Sequence, residues 1–269
     1  MSTIKRAKQS SFSIFTLINT VLMICSAAIC VIPFIHMVAM SISSTNMVAA
    51  GKVFLWPKGF TLASYEYVMH RVQFWKSALI SLKRVTLAMP INILLTVLSA
   101  YPLSRPTNDF RARTFFVWFF FITTIFNGGL IPLYMVIVTC GMLNSLWALV
   151  LPSAVPVGNI LLMLNFFKQT PSELHDAALI DGVGHWRMLF QIYVPLSKAS
   201  LATITLFQFI GHWNAWFDGM IYMSRQNLYP LQTFIRNITD ITQDITLLTP
   251  EEQVLLSKIS DRTMQSAQI

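Results

Sequence analysis

The sequence predicts an all-α, polytopic membrane protein, and three observations carry that fold class. Of its 269 residues 55% are hydrophobic and only 11% are charged, against about 25% charged in soluble domains. The mean hydropathy is +0.60. Five apolar runs come close to or exceed the ~20 residues a helix needs to cross a hydrocarbon core. The polar stretches between them are short, which leaves little room for a soluble catalytic domain.

The first span covers about residues 13–41, behind Lys5, Arg6 and Lys8. The run is longer than a signal-peptide core and no small-residue cleavage site closes it, so no cleavable signal is expected. Pro33 predicts a kink, and His36 reads as a polar group at a helix interface. Residues 42–75 read as an extramembrane loop with one short helix lying along the bilayer. Trp56, Tyr65, Tyr67 and Trp75 have the character of interfacial aromatics.

The second span, about 76–104, carries Lys83, Arg84, Pro90 and Asn92. The third, about 114–139, is interrupted by Asn127-Gly128-Gly129 and Pro132. A turn at 141–144 leads to the fourth, about 145–167, with Pro152, Pro156 and Gly158 inside it. The fifth covers about 200–223. Residues 224–269 are polar and rich in acids. Cys25, Cys30 and Cys140 sit in or beside apolar runs without metal-ligand partners and are expected to be buried free thiols.

Between the fourth and fifth spans lies the longest polar interruption on its side of the membrane, 170–196. It reads as two short helices hinged at a glycine. Thr170, Pro171 and Glu173 fit N-cap, N1 and N3 of a capping box. Gly182 supplies the left-handed residue that ends the first helix. The second runs through Trp186, Leu189, Phe190 and Tyr193 until Pro195 stops it. Orientation follows from basic residues. Lys5, Arg6 and Lys8, then Arg105, Arg111 and Arg113, then Lys168, Arg187 and Lys198 all fall on one side. The positive-inside rule places that side, and the helical hairpin, in the cytoplasm.

The hairpin carries a resemblance. Asp176-Ala177-Ala178, three residues, Gly182, nine residues, then Ile192-Tyr193-Val194-Pro195 is similar to the EAA motif of importer-type ABC transporter permeases. Asp176 replaces that motif's glutamate and Val194 its leucine, and both keep charge or apolarity. Asn127-Gly128-Gly129-Leu130-Ile131-Pro132 and His212-Trp213-Asn214 resemble the carbohydrate-uptake branch, in particular polysaccharide-type second permeases such as those of alginate importers.

The resemblance implies an importer permease fold in a bacterial cytoplasmic membrane. It implies a second, homologous permease, two ATPase subunits below and an extracytoplasmic solute-binding protein outside. It also implies a sixth span after the outer loop. Here the sequence ends where that helix would begin, and 263–269 reads as a helix cut mid-turn. The expectation is a shortened chain or tail, which intact-mass measurement checks.

No GxxxxGK[ST] occurs, so no phosphate-cradling loop is present. The chain is expected to be no enzyme and to hold no cofactor, with ATP and Mg bound by the partner ATPase. The resemblance implies that Glu173, Asp176, Ala177, Ala178, Gly182 and Arg187 couple the hairpin to that ATPase. The alanines would permit close backbone approach, the glycine would set the angle, and the charged groups would offer charge-assisted contacts. Gly182→Asp or Gly182→Pro is expected to uncouple transport from ATP hydrolysis. His175 and His185 repeat no metal-ligand spacing.

The candidate substrate path comprises Lys83, Arg84, Asn92, Asn127, Trp213, Asn214 and Trp216. Lys83 and Arg84 either snorkel to the interface or line a cavity and meet an anionic sugar. Together with the net charge of +8, they lean towards an acidic oligo- or polysaccharide. Phe209, Trp213 and Trp216 fall on one helical face, where rings stack on sugars or simply pack, and Asn214 offers hydrogen bonds to hydroxyls. Gly128, Gly129 and Pro132 mark a deformable point in the third span. The rival is a gradient-driven secondary transporter subunit, which predicts an internal repeat that the sequence does not display.

Overall fold

A computed structural model describes residues 14–247, and among these the chain is helical with no β-strand. The N-terminal basic residues and the 263–269 stretch lie outside the described residues. The sequence reads as one permease domain, 1–269; by compactness the described residues form two units, divided between Val72 and Gln73.

The first unit is built on α1 (Ile14–Ser41), 28 residues with Pro33 inside and Ala39 as its only buried residue. Most apolar side chains of α1 are exposed, the condition of a helix that faces lipid or another chain. Two short helices follow, α2 (Thr45–Ala49) and α3 (Ala63–Met69), where the sequence suggested one. His36 reaches the loop rather than a neighbouring helix: its Nδ1–H donates to the Phe54 carbonyl at 2.6 Å. The loop returns through a lone antiparallel bridge between Ser43 and Phe60. Trp56 stays exposed, as an interfacial aromatic would be.

The spine of the second unit is α4 (Val72–Ser104), 33 residues containing Pro90 and Pro102. The third predicted span is two helices, α5 (Arg113–Ile125) and α6 (Leu130–Thr139), bent by 113°. The break falls at Asn127-Gly128-Gly129, where Gly129 takes φ +87° and its N–H bonds Asn127 Oδ1 at 2.9 Å. The fourth is α7 (Leu146–Val150), a 3-10 turn over Leu151–Ser153, and α8 (Val157–Lys168), with a 46° bend at the Pro152 to Pro156 stretch. Among the described residues two helices are long and apolar enough to cross a membrane alone, or up to four spans if each bent pair counts as one.

The fifth predicted span is also split. α12 (Lys198–Asn214) stops at an extended Ala215, and α13 (Phe217–Tyr222) restarts beyond it. The sequence treats 224–269 as a polar remainder, yet α14 (Leu231–Leu247) forms inside it. Leu231, Phe234, Ile235 and Ile238 recur at i, i+3, i+4 and i+7, an amphipathic stripe, and Phe234 is buried.

Two apolar clusters hold this unit. The larger joins α4, α8 and α12 to the hairpin through Val97, Tyr101, Ile160, Phe167, Ala178, Met188 and Ile204. The smaller gathers Ile137, Ala148, Leu149, Tyr222 and Met223 from α6, α7 and α13. The cysteines correct their expectation. All three are free, but Cys25, Cys30 and Cys140 are exposed on the isolated chain, because they lie on helix faces that this chain does not itself cover.

Candidate functional site

The hairpin consists of α9 (Ser172–Ile180), α10 (His185–Met188), a π turn over Leu189–Tyr193, and α11 (Val194–Leu196). The predicted capping box does not form. Pro171 is the N-cap, with ψ 134° and no side-chain cap. Thr170 is occupied elsewhere: its N–H bonds the Phe167 carbonyl at 3.3 Å and closes the end of α8. The glycine hinge is as expected. Gly182 takes φ +71°, its N–H bonds Leu179 O at 3.0 Å, and the Val183 N–H bonds Ala178 O at 2.9 Å. That pair of bonds is a Schellman motif. Pro195 does not stop the second limb. The π turn before it widens the helix, and Pro195 then falls in the first turn of α11, where its missing N–H leaves no partner unsatisfied.

The two faces of the hairpin differ sharply. His175, Ala178, Met188, Leu189 and Tyr193 point into the core. Glu173, Asp176, Ala177, Gly182 and Arg187 are exposed. Ala178 therefore does not offer its surface outward as the sequence suggested, since it is the residue that lets α9 approach the core. Arg187 Nε donates to Gln191 Oε1 at 2.8 Å. At the hairpin tip, Ile180 is 87% exposed beside an exposed Trp186, whose ring stacks on Phe190.

The hairpin is seated on the end of α4 by polar contacts that the sequence did not indicate. Arg105, 7% exposed, directs Nη1 to His175 Nδ1 at 2.8 Å. Its guanidinium lies over the Tyr193 ring at 4.3 Å and the Tyr101 ring at 5.0 Å. Tyr101 Oη is 3.2 Å from His185 Nδ1. Because an arginine N–H only donates, His175 Nδ1 accepts and the ring proton sits on Nε2, 3.7 Å from Asp109 Oδ2. Neither histidine belongs to a group able to hold a metal among the described residues.

Burial, then the neighbouring Arg105 charge, pushes the His175 pKa below its ordinary 6.5. The unfolded chain takes up a proton first as pH falls, so the seat's full stability holds above about 6.5 and is lost as pH drops through the lowered folded value. The thermal midpoint is expected to fall more steeply between about pH 7 and pH 5 in the wild type than in His175→Gln. Equal slopes would exclude His175 as the titrating group.

The structure also gathers a polar network from α4, α12 and α13. Arg84 is 2% exposed. It neither snorkels nor faces a path as a free charge, because it pairs with Asp218, Nη1 to Oδ1 at 3.1 Å and Nη2 to Oδ2. A buried cation is strongly unfavourable without a counter-charge. Arg84 Nε donates to His212 Nδ1 at 3.4 Å. Buried Asn92 donates to Gln208 Oε1 at 2.8 Å and lies 2.8 Å from His212 Nε2.

Lys83 stays exposed on α4, with no acid of the described residues paired to it. Asn127 and Asn214 are exposed, and Trp213 stacks on Phe209 at 5.8 Å. Trp216 is not on their face, since the break at Ala215 carries it away to sit under Arg236 at 5.2 Å. Asp218, His212 and Gln208 were missed. Asp218 is the only acid inside the five apolar runs, which could have named it as Arg84's partner.

A family model described as "binding-protein-dependent transport system inner membrane component" matches residues 57–217. The chain is 34% identical to the polygalacturonan/rhamnogalacturonan transport system permease protein YtcP of Bacillus subtilis (strain 168), over 80% of this chain and 75% of that protein. It is 33% identical to protein LplC of the same organism, over 81% and 73%. Its fold is similar to a chain of a bacterial ABC transporter involved in the import of the acidic polysaccharide alginate. That match has TM-score 0.80 and 31% identity, and covers 93% of this chain and 89% of the other.

Proposed function

The chain belongs to the family of binding-protein-dependent transport system inner membrane components, and from that premise we propose that it is the membrane-spanning half of an ATP-driven importer for an acidic oligo- or polysaccharide. It is a multi-pass inner-membrane sugar permease of the ABC type rather than an enzyme. The further reading has the chain pair with a second permease, receive solute from a binding protein outside, and take its drive from two ATPase subunits on the cytoplasmic side.

The observation that carries this reading is the hairpin itself. Its Asp176-Ala177 face and Gly182 turn are exposed, and its tip presents Ile180 and Trp186 to solvent. Its other face is fixed to α4 and α8. Exposed apolar side chains on a rigid polar loop mark a docking surface. Glu173, Asp176 and Arg187 around them supply charged contacts to a cleft on the ATPase. Closure of that cleft moves the hairpin as a body, and the helices packed on it follow, giving alternating access. ATP and Mg stay on the ATPase.

Affinity purification of this protein is expected to recover a second permease and an ATPase, with uptake in proteoliposomes requiring internal ATP. Uptake by the chain alone under a proton or sodium gradient would replace this reading with a secondary transporter.

The acidic substrate rests on Lys83 together with the pectin- and alginate-importing relatives. With Arg84 compensated by Asp218, Lys83 is the cation of α4's interior still free to meet a uronate. Lys83→Gln is expected to lower uptake of oligogalacturonate by up to about five-fold and leave a neutral oligomer of equal length unaffected, since an ion pair at an exposed lysine contributes about 0.2–1 kcal/mol. A wild type that prefers neutral sugars would remove the charge argument.

A further inference from the structure

We infer that Arg105 is the positioning residue through which movement of the hairpin is carried into α4. The inference rests on the proposed reading of the hairpin as the element that the ATPase moves. Arg105 directly follows Ser104, the last residue of α4, so its backbone moves with that helix. Its side chain holds both limbs of the hairpin at once. Nη1 bonds His175 of α9 at 2.8 Å, and the guanidinium plane covers Tyr193 of the π turn at 4.3 Å. Nη2 returns to Ser104 Oγ at 3.3 Å, which fixes the fork relative to the helix end.

The chemistry of this contact is unusual for a purely structural one. Arg105 is buried, yet among the described residues no carboxylate lies within ion-pair distance of it. Asp109, the nearest acid in the cluster, faces the far nitrogen of His175. Arg105 Nε is buried with no hydrogen-bond partner. A residue retained for stability alone would be paired or apolar, because an uncompensated buried cation is unfavourable.

A planar cation does what an apolar side chain does not: it donates in its plane to one limb while stacking its face on the other. The rest of the interface between hairpin and α4 is largely apolar, through residues such as Val97, Ala178 and Leu189. Apolar contact is non-directional and tolerates sliding, whereas the Arg105 fork resists it. Cavities lie on both sides of the fork, one against Phe110 and Trp186, the other against Lys168 and Asp176. Tyr101 Oη adds one further polar contact to the hairpin, 3.2 Å from His185 Nδ1, but it touches a single limb.

The test uses the assembled transporter of both permeases and two ATPases, with Cys25, Cys30 and Cys140 replaced by serine. Spin labels are placed at Ile180 on α9 and at exposed Leu94 on α4. In the wild type, trapping the ATP-bound state is expected to leave the distance between them within about 2 Å of its nucleotide-free value. In Arg105→Ala the hairpin slips on α4 and the distance changes by more than that. Arg105→Lys keeps the charge but not the fork, and falls between them.

Identical distances in all three chains would overturn the inference. So would an Arg105→Ala chain that fails to assemble beside an Arg105→Lys chain that matches the wild type, since Arg105 would then serve folding alone. The hairpin reading is tested separately by cross-linking Ile180→Cys to the ATPase. If that cross-link forms and the distances still do not respond, Arg105 fails alone; if no cross-link forms, the hairpin reading fails.

Discussion

Replacing Asp218 by leucine is expected to destabilise the protein by about 3 kcal/mol or more, because it leaves Arg84 buried and charged with no counter-ion. The Arg84 side chain is 3% exposed and that of Asp218 26%, so water relieves the acid more than the cation. Arg84 would keep only the weaker contacts to His212 Nδ1 at 3.4 Å and the Ala215 carbonyl at 3.5 Å. The loss would also loosen the point where α12 gives way to α13, since Asp218 Oδ1 accepts from the Gly219 N–H at 2.8 Å.

The double variant Arg84→Met/Asp218→Leu removes both charges and is expected to regain most of that stability, as apolar replacement of buried pairs commonly does. Thermal unfolding of the detergent-purified chains measures both effects. A double variant as unstable as the single one would mean that the pair acts through something other than charge compensation. The same double variant addresses transport. If it folds well and uptake of acidic oligosaccharide is unchanged, Arg84 has no direct part in the path.

Gly182→Pro is expected to abolish ATP-driven uptake while leaving membrane insertion intact. Proline locks φ near −65°, whereas Gly182 sits at +71°, so no adjustment short of opening the turn admits it. The ring also removes the N–H that bonds Leu179 O at 3.0 Å. With the Schellman motif gone, α9 and α10 lose their fixed angle. Gly182→Ala isolates the backbone term. An added Cβ would meet nothing within 4 Å, so its cost is the 1–2 kcal/mol of a left-handed L-residue. Gly182→Asp belongs with alanine, because a short polar side chain tolerates that conformation; the sequence alone grouped it with proline. Full uptake by Gly182→Pro would show that the hairpin angle does not matter to transport.

The hairpin was legible because its signals are local. A glycine four residues after Asp176-Ala177-Ala178 fixes a turn whatever surrounds it, and the structure finds the left-handed residue there. The break at Asn127-Gly128-Gly129 was legible for the same reason, whereas the bend in the fourth span was not read from its prolines. The polar contacts were not. Arg84 and Asp218 are 134 residues apart and Arg105 and His175 are 70 apart, and no local pattern pairs them.

Thr170 was misread because its sequence fits a cap equally well whether or not α8 has already engaged its N–H. The π turn leaves no mark in composition, so in sequence Pro195 reads as a stop. α14 is a different kind of miss. Its apolar period was present, but the polar character of the whole tail outweighed it.

One consequence follows from the length of α4. Arg84 and Arg105 are 21 positions apart, which at 1.5 Å per residue is about 32 Å, close to the ~30 Å depth of a bilayer's hydrocarbon. The helix thus has a fixed charge with its own partners at each border of the oil, and the membrane's thickness is written into it as a gauge. A thicker bilayer would draw the Arg84 network or the Arg105 seat into hydrocarbon, and a thinner one would wet them. Hydrophobic mismatch therefore acts on this protein first at its two arginines, which makes lipid chain length a variable that sets how firmly the hairpin is held.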